Sequence, residues 1–310
     1  MPTQRRGFSI HETDTIGAFI TDLDLSYELS DDVAEDLRAA WQDYPVLIFP
    51  KAGDTSEKHL RLSRVFGELQ PHVNPAVRSP DEPELMVLGA AAETKGRAIW
   101  FEGELRYGFL YFHQDSFYTP SIAKGALLRM TQLPSSGGDT VYVDLEKAYA
   151  ALPEDLKRLC HERRATYVYR DSPEPLWGMQ EVKTRFATDE EAEYAELDVP
   201  DWPKVAHPMA IRNPNTGRPT LIISPAGYDG MYGMDKAEGD AFFEKIVRHA
   251  IQPQFCFRQK WAVDDMLLWD NRRTMHWAMG YPVGDTRVIK RSTLRGEMRT
   301  GMLLSELEAA

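Results

Sequence analysis

The sequence has little of what disulfide-stabilised, secreted or membrane-spanning proteins need. Its 310 residues include two cysteines, Cys160 and Cys256, whose separation matches no metal-binding or redox spacing. Two separate thiols are typical of a reducing compartment, so we expect a cytoplasmic protein. No stretch approaches the ~20 apolar residues that span a bilayer, and residues 1–14 lack the apolar run of a signal peptide. We therefore expect no membrane partner.

Positive charge is also scarce. The chain has 36 Lys and Arg against 48 Asp and Glu, a formal net charge of −12. A phosphate backbone is bound through clustered basic residues, so this balance argues against a nucleic-acid partner. The excess of acidic groups is typical of a well-solvated surface, although basic groups inside a pocket could still bind a small anion.

What the sequence does have is short alternating hydrophobic segments. They predict strands at 17–25, 46–49, 126–130, 140–143, 205–211, 220–224, 255–261, 266–269 and 287–295. Helices are predicted after Ser30, after Asp54, and at 144–151, 153–162 and 236–250. Because strands and helices do not alternate regularly, the pattern favours a mainly β fold with helical decoration. We expect a double-stranded β-helix (jelly roll, cupin-like) that forms a single domain over residues 1–310.

Local signals predict where several elements begin and end. Asp54 with Glu57 resembles a capping box for a helix that runs to about residue 66. Pro153 is expected at the first position of its helix. The pair Gly137–Gly138 predicts a turn between strands 126–130 and 140–143. Residues 72–98 contain several prolines and little periodicity, so they are predicted to be mostly loop.

The pattern that carries chemistry is His113-Gln114-Asp115, within GFLYFHQDSFY. Residues i and i+2 of a strand project to one face, so this imidazole and carboxylate would converge. His276, within WDNRRTMHWAMGY, would complete a set that binds Fe(II) and leaves three coordination positions open. A keto acid can take two of these and oxygen the third. The triplet alone is weak evidence, since a histidine near an apolar strand commonly belongs to the core.

Two arginines follow the distal histidine, after eleven and fifteen residues. The alternation of RVIKRSTLR places on one strand face Arg287, Ile289, Arg291 and Thr293. A buried guanidinium is costly unless an anion meets it, and it binds carboxylates through paired, charge-assisted hydrogen bonds. Spacing alone leaves open whether that anion is a ligand or an internal carboxylate such as Asp270.

Together these segments resemble the taurine dioxygenase and 2,4-dichlorophenoxyacetate dioxygenase family over nearly the whole chain. GAFITDLDL resembles the N-terminal strand of that family, and VLIFP with FGEL resembles its first strand–helix unit. FHQDSFYTP resembles the H-x-D strand, and LPSSGGDTVYVD resembles the L-P-x-x-G-G-D-T segment. RQKWAVDDMLLWDNRRTMHWA resembles the stretch before the distal histidine. The resemblance implies a dioxygenase that uses Fe(II), 2-oxoglutarate and O2.

The resemblance also implies roles for the matching residues. His113, Asp115 and His276 would be the iron ligands. Thr140, twenty-seven residues after the first ligand, matches a threonine that hydrogen-bonds 2-oxoglutarate. Arg287 matches the arginine that binds the distal carboxylate of 2-oxoglutarate.

Substrate-binding residues are less well defined. Arg291 matches an arginine that helps hold the anionic group of the substrate or the co-substrate. His72 matches a substrate-binding histidine of taurine enzymes, and the alternative is a loop residue without a role. Phe109 and Pro75 replace an asparagine and a tyrosine of those enzymes, and Ser116 follows the carboxylate ligand. These departures argue against taurine and, with the aromatic residues of 99–118, favour a small substrate with an apolar or aromatic body and one anionic group.

The implied reaction hydroxylates a substrate C–H bond while 2-oxoglutarate is converted to succinate and CO2. When that carbon also bears oxygen, nitrogen or sulfur, the product can fall apart. Asp115 argues against halogenation, because the halogenases of the family leave that position to chloride. Two alternatives remain open: a zinc hydrolase with the same ligands and a non-catalytic jelly-roll binding protein. Similar enzymes are often dimers or tetramers, so a homo-oligomer is expected.

Overall fold

The computed structural model of the protein describes residues 3–72, 77–89, 98–169, 177–178, 184–186, 202–296 and 298–309. The helices of these residues are α1 (Asp31–Asp43), α2 (Ser56–Phe66), α3 (Leu145–Ala150), α4 (Glu154–Glu162), α5 (Lys236–Ala250) and α6 (Leu304–Glu308). The strands are β1 (Thr3–Arg5), β2 (Phe8–Glu12), β3 (Ala18–Thr21), β4 (Val46–Phe49), β5 (Leu85–Leu88), β6 (Ile99–Phe101), β7 (Glu104–His113), β8 (Gly125–Gln132), β9 (Thr140–Asp144), β10 (Arg164–Tyr167), β11 (Thr184–Phe186), β12 (Val205–Pro208), β13 (Ala210–Arg212), β14 (Pro219–Leu221), β15 (Tyr228–Met231), β16 (Cys256–Gln259), β17 (Met266–Asp270), β18 (Thr274–Pro282), β19 (Val288–Leu294) and β20 (Met302–Leu303). Among the helices just given, none combines the length and the apolar character that crossing a bilayer requires.

Two sheets face each other across a shared apolar interior. The larger sheet has the order β1-β2-β3-β4-β17-β8-β19-β5, and the second sheet has the order β11-β6-β7-β18-β9-β16. Side chains from both meet in one buried cluster, with Ile48, Leu128 and Leu267 from the larger sheet and Tyr142 and Phe257 from the second. The predicted mainly β, jelly-roll fold with helical decoration is confirmed.

Helices cover the outer faces of both sheets. On the larger sheet, Trp41 of α1 and Phe66 of α2 pack edge to face over the strands, with ring centroids 5.3 Å apart. On the second sheet, α3, α4 and α5 bury Trp277 of β18 together with Phe243 and other apolar side chains. Each sheet is therefore buried on both faces near its centre, and polar groups there must find partners within the protein.

Local signals account for two of the helices. Ser30 is the N-cap of α1, where its Oγ accepts a hydrogen bond from the Val33 amide at 3.4 Å. Leu37, Ala40 and Trp41 of that helix are buried. The bounds of α5 are those predicted, and the Asp235 side chain caps it.

Other predicted boundaries are corrected. The N-cap of α2 is Thr55 rather than Asp54, whose carboxylate instead pairs with the Lys58 ammonium group at 2.9 Å. Pro153 is the N-cap of α4 and precedes its first helical residue. The strand predicted at 205–211 is two strands, β12 and β13, because the chain leaves the β10 partner after Pro208.

One prediction about loops gains detail and another is corrected. Gly137 and Gly138 have φ values of 68° and 75° and lie in the predicted turn segment between β8 and β9. That turn connects β8 of the larger sheet with β9 of the second sheet, so the two strands do not form a hairpin. Within the predicted loop 72–98, Leu85–Leu88 is an edge strand paired with β19, while residues 73–76 and 90–97 lie outside the described residues.

Candidate metal centre

The three predicted metal ligands meet between the two sheets. His113, the last residue of β7, lies opposite His276 of β18 in an antiparallel pair. The centroids of the two imidazole rings are 4.1 Å apart, and the Nε2 atom of His113 is 3.8 Å from Oδ1 of Asp115. One ligand atom from each residue lies within 4.8 Å of the other two, and all three residues are buried. Among the described residues, this is the group with the spacing of a metal site.

The protonation of the histidines suits a metal. The Nδ1–H group of His113 donates to the Tyr111 carbonyl at 2.8 Å, which leaves Nε2 to face Asp115. Burial lowers the pKa of His113, although the nearby Asp115 opposes this shift. Burial, together with the charge of His113, lowers the pKa of His276 well below its usual value. Both rings are therefore neutral at pH 7, which is the form that binds metal ions.

Asp115 is ionised despite its burial. Burial by itself would raise the pKa of this carboxyl, but the charge of Arg291 first, and the nearby imidazoles of His276 and His113 after it, outweigh burial and hold the pKa at about 2. Arg291 binds the carboxylate with two parallel hydrogen bonds, Nη2 to Oδ2 at 2.7 Å and Nη1 to Oδ1 at 3.1 Å. The same guanidinium lies 5.4 Å above the Trp269 ring. Arg291 therefore lies against the carboxylate of the candidate metal centre.

Arg287 and Thr140 lie along the same interior. Arg287 donates from Nη2 to the Gly138 carbonyl at 3.1 Å, and burial lowers its pKa to about 10, so it stays charged at neutral pH. A Cβ atom at Gly138 would lie 3.1 Å from the arginine Nε, which explains the glycine at this position. Thr140 begins β9, and its Oγ1 accepts from Trp261 Nε1 at 3.2 Å.

The residues present fit a ferrous ion and an anionic ligand. Two neutral histidines and one carboxylate are the donor set that non-haem iron prefers. Among the buried nitrogens of the described residues that have no hydrogen-bond partner are three on these site residues, His276 Nδ1, Arg287 Nε and Arg291 Nε. Unpaired buried donors are costly, so their presence beside a metal site indicates binding partners from outside the chain. The internal alternative holds for Arg291, whose guanidinium pairs with Asp115, while Asp270 forms ion pairs with Arg272 and Arg273 instead.

The other predicted substrate residues lie in different places. The His72 carbonyl accepts from Arg78 Nε at 2.6 Å. Ser116, directly after the carboxylate ligand, has a φ of 60° and starts a turn that Thr119 closes. The Phe109 ring packs against Trp277 at a centroid distance of 5.8 Å, on the face of β18 opposite His276. Pro75 lies outside the described residues.

Sequence reasoning missed several residues that surround the ligands. Tyr142 stacks on His276 with an interplanar angle of 16°, and Trp269 lies 4.9 Å from the same imidazole. Asn271 and Gln114 hydrogen-bond around Asp115. The WDNR motif and the middle residue of H-x-D contained this signal, but a motif does not show which backbone atoms a side chain reaches.

Fold and site together define a class. A jelly roll that holds two histidines and an ionised carboxylate beside buried arginines has the residues that an Fe(II)- and 2-oxoglutarate-dependent dioxygenase requires. A sequence profile of the taurine catabolism dioxygenase TauD, TfdA family matches residues 9–293. The chain belongs to this family, and the predicted enzyme class and its use of Fe(II), 2-oxoglutarate and O2 on a small-molecule substrate are confirmed.

Similar proteins include two curated enzymes and a solved structure. The chain is 30% identical to (S)-phenoxypropionate/alpha-ketoglutarate-dioxygenase of Sphingobium herbicidovorans, over 91% of this chain and 93% of that enzyme. It is 28% identical to alpha-ketoglutarate-dependent 2,4-dichlorophenoxyacetate dioxygenase of a Burkholderia species, over 89% and 90%. A taurine dioxygenase structure from Burkholderia xenovorans superposes with a TM-score of 0.74 at 22% identity, over 96% and 92% of the two chains, and shows the shared fold.

Proposed function

We propose that the enzyme hydroxylates a C–H bond of a small carboxylic acid with an apolar or aromatic body. The observation that carries this proposal is a pair of arginines at one metal centre. Arg291 binds Asp115 at 2.7 Å, and Arg287 lies beside the Gly138 carbonyl. Both guanidinium groups also interact electrostatically with Tyr142, whose ring stacks on His276. Two cations beside one site can accept two carboxylates, one from 2-oxoglutarate and one from the substrate.

Each side chain has a distinct task in this proposal. His113, Asp115 and His276 hold the iron, and Thr140 and Arg287 hold 2-oxoglutarate. The bound iron and co-substrate supply the oxidation of the C–H bond.

Arg291 takes the substrate anion. A metal ion on Asp115 competes with Arg291 for the carboxylate charge, and this frees guanidinium donors for the substrate. Loading of the metal would therefore prepare the substrate subsite.

Aromatic side chains next to the site support an aromatic or apolar substrate body. The Tyr118 ring lies 4.7 Å from Tyr169 and 5.2 Å from Trp202, measured between centroids. Tyr118 also interacts electrostatically with Asp115 and Arg291, which places this cluster beside the anion subsite. Aromatic walls with one charged group are typical of pockets for aryl acids. The two curated relatives bear names of aryloxy acids, in keeping with this substrate class.

His72 and Ser116 remain proposed substrate contacts. The packing of Phe109 against Trp277 favours a supporting role for Phe109 instead.

The test is release of succinate by the purified enzyme with Fe(II), 2-oxoglutarate, ascorbate and a panel of acids. We expect (S)-2-phenoxypropionate and 2,4-dichlorophenoxyacetate to stimulate succinate release more than taurine or a linear alkyl sulfate does. Stimulation by taurine or by the alkyl sulfate alone would refute the proposed substrate class.

Two matched variants separate the anion subsites. Hydrogen bonds to a charged group contribute about 1.5–3 kcal/mol, so losing one pair corresponds to roughly 10- to 150-fold in affinity. Arg287→Gln should raise the KM for 2-oxoglutarate by that factor and change the KM for the acid little. Arg291→Gln should raise the KM for the acid by that factor and change the KM for 2-oxoglutarate little. Equal effects of both variants on both ligands would contradict the assignment of one arginine to each carboxylate.

We also propose a single domain over residues 1–310 that acts as a homo-oligomer, a dimer or tetramer, in the cytoplasm. The unpaired thiols of Cys160 and Cys256 support a reducing compartment. Resemblance to oligomeric enzymes supports the assembly, and sedimentation of the purified protein tests it.

A further inference from the structure

The main chain of the carboxylate ligand is held on both sides by one side chain. Asn271 accepts a hydrogen bond from the Asp115 amide through Oδ1 at 2.7 Å. Its Nδ2 group donates to the Asp115 carbonyl at 3.0 Å and to the Ala123 carbonyl at 3.1 Å. Asn271 is fully buried, so water does not compete for these bonds. Both polar groups of the ligand's own backbone therefore depend on one amide.

Gln114, the residue between the two ligands of the H-x-D motif, is fixed by hydrogen bonds of its own side-chain amide and backbone. Gln114 donates from Nε2 to the Asn271 carbonyl at 2.7 Å and accepts from the Ile223 amide at 3.0 Å. Its own amide donates to Ser224 Oγ at 3.3 Å. The segment that carries His113 and Asp115 is thus tied to the turn that contains Asn271.

That turn leads directly to the distal ligand. Asn271 lies between β17 and β18, and His276 lies in β18, five residues further on. The Asp270 carboxylate accepts from Arg272 Nε at 3.0 Å and from Arg273 Nε at 3.2 Å, and its carbonyl accepts from Thr274 Oγ1 at 2.8 Å. The position of Asn271 is therefore well determined, and one turn connects both ligand-bearing segments.

We propose that Asn271 and Gln114 are positioning residues that set the place of Asp115 relative to His276 and thereby the affinity for the metal. The inference rests on the proposed use of the three residues as metal ligands. An amide of this length offers an acceptor and a donor together, while aspartate lacks the donor and alanine lacks both. Loss of a group that orients a metal ligand costs about 10- to 100-fold in metal affinity.

The test is an anaerobic titration with Co(II) of the full-length wild type, Asn271→Ala and Asn271→Asp. The visible absorption of the bound Co(II) reports the metal affinity. We expect Asn271→Ala to weaken Co(II) binding by about 10- to 100-fold and Asn271→Asp by a smaller factor, with altered band intensities. Gln114→Met, which removes both amide contacts at similar volume, should weaken binding as well. With Fe(II), the variants should consume more 2-oxoglutarate per product formed.

Asn213→Ala is the matched control. Asn213 is also fully buried, and its Oδ1 accepts from the Asn215 amide at 2.9 Å in the turn between β13 and β14. We expect this control to lose stability and to keep the Co(II) affinity of the wild type. Folded Asn271 and Gln114 variants that bind Co(II) as tightly as the control would overturn the positioning role and leave the proposed function intact. A wild-type chain that binds no Co(II) would overturn the ligand assignment and this inference with it.

Discussion

The two faces of β18 carry neighbouring residues with different roles, one at the candidate metal centre and one in the hydrophobic core. His276 points between the sheets, where its ring meets His113, Tyr142 and Trp269. Trp277 points the other way, into an aromatic cluster beneath the helices of the second sheet. The two residues are 6% and 9% exposed, so burial alone does not distinguish them. What differs is the surroundings: His276 faces the other two ligand side chains, whereas Trp277 packs among the rings of Phe101, Phe109 and Phe112.

The two faces of β18 contribute differently to stability. The interior face keeps unpaired nitrogens of Arg287, Arg291 and His276 buried, which costs free energy in the absence of ligands. The opposite face buries apolar area, which contributes about 25 cal/mol per Å². We therefore expect substitutions on the two faces of one strand to separate function from stability.

The largest effect is expected for His276→Ala. Two ligands should not hold Fe(II) productively, so the weak visible band of the anaerobic Fe(II)–2-oxoglutarate complex should vanish and succinate release should stop. The free energy of unfolding without metal should fall less than in Trp277→Ala, because an imidazole is smaller than an indole and leaves a smaller cavity. His59→Gln is the control, since His59 is equally buried but far from the ligands in sequence and bonded to Ser292. A persistent band in His276→Ala would show that this face is not the metal site.

Trp277→Ala should lower the free energy of unfolding and leave metal binding nearly unchanged. Removing a buried tryptophan that contacts Phe101, Phe109 and Phe112 should cost ~3–5 kcal/mol of unfolding free energy. Co(II) affinity of the folded fraction should stay within a few-fold of the wild type. Urea unfolding measures the first quantity, and Trp277→Phe, which keeps a ring, should lose much less. Loss of metal affinity without loss of stability would break the contrast between the faces.

Much of this contrast was predictable, because strand alternation is a local property. His113 and Asp115 were expected to converge from their i, i+2 spacing, and the caps of α1 and α5 follow from single residues such as Ser30. The pairing of His113 with His276 has no local signal, since it joins strands 163 residues apart in sequence. It was predicted through family resemblance.

The errors have a common physical cause. Leu85–Leu88 becomes a strand because the edge of β19 offers hydrogen-bond partners, although its own periodicity is weak. The segment of Gly137–Gly138 connects β8 and β9 as predicted, but its sequence does not show that the two strands lie in different sheets, which depends on tertiary packing. The hydrogen bonds of Asn271 to the Asp115 backbone were missed for the same reason, because the tertiary fold and not the local sequence brings these two residues together.

A third buried histidine gives a prediction about acid. Burial lowers the pKa of His59 to about 3, whereas the unfolded chain titrates near 6.5. Below pH 6.5 the His59 imidazole is protonated in the unfolded state but stays neutral in the folded state. The free energy of unfolding therefore falls as pH decreases from about 6.5 to about 3. The slope should be at most about 1.4 kcal/mol per pH unit. Urea unfolding of wild type and His59→Gln between pH 7 and 4.5 should show a shallower decline in the variant, and parallel curves would contradict the assignment.

The smallest effect is expected at Ser116, where the functional face carries backbone strain next to a ligand. Its φ of 60° costs a side-chain-bearing residue roughly 1–2 kcal/mol, and glycine removes that cost while adding about 0.5–1 kcal/mol of unfolded-state entropy. Ser116→Gly should therefore stabilise the protein by about 0–1.5 kcal/mol. Ser116→Ala keeps the strain and removes only the hydroxyl, so it is the matched control. A higher substrate KM in both variants, with higher stability in the glycine variant alone, would mean that the hydroxyl contacts substrate while the strain serves only the turn after Asp115. A substrate KM raised in the glycine variant alone would instead mean that the strained turn holds the carboxylate ligand in place.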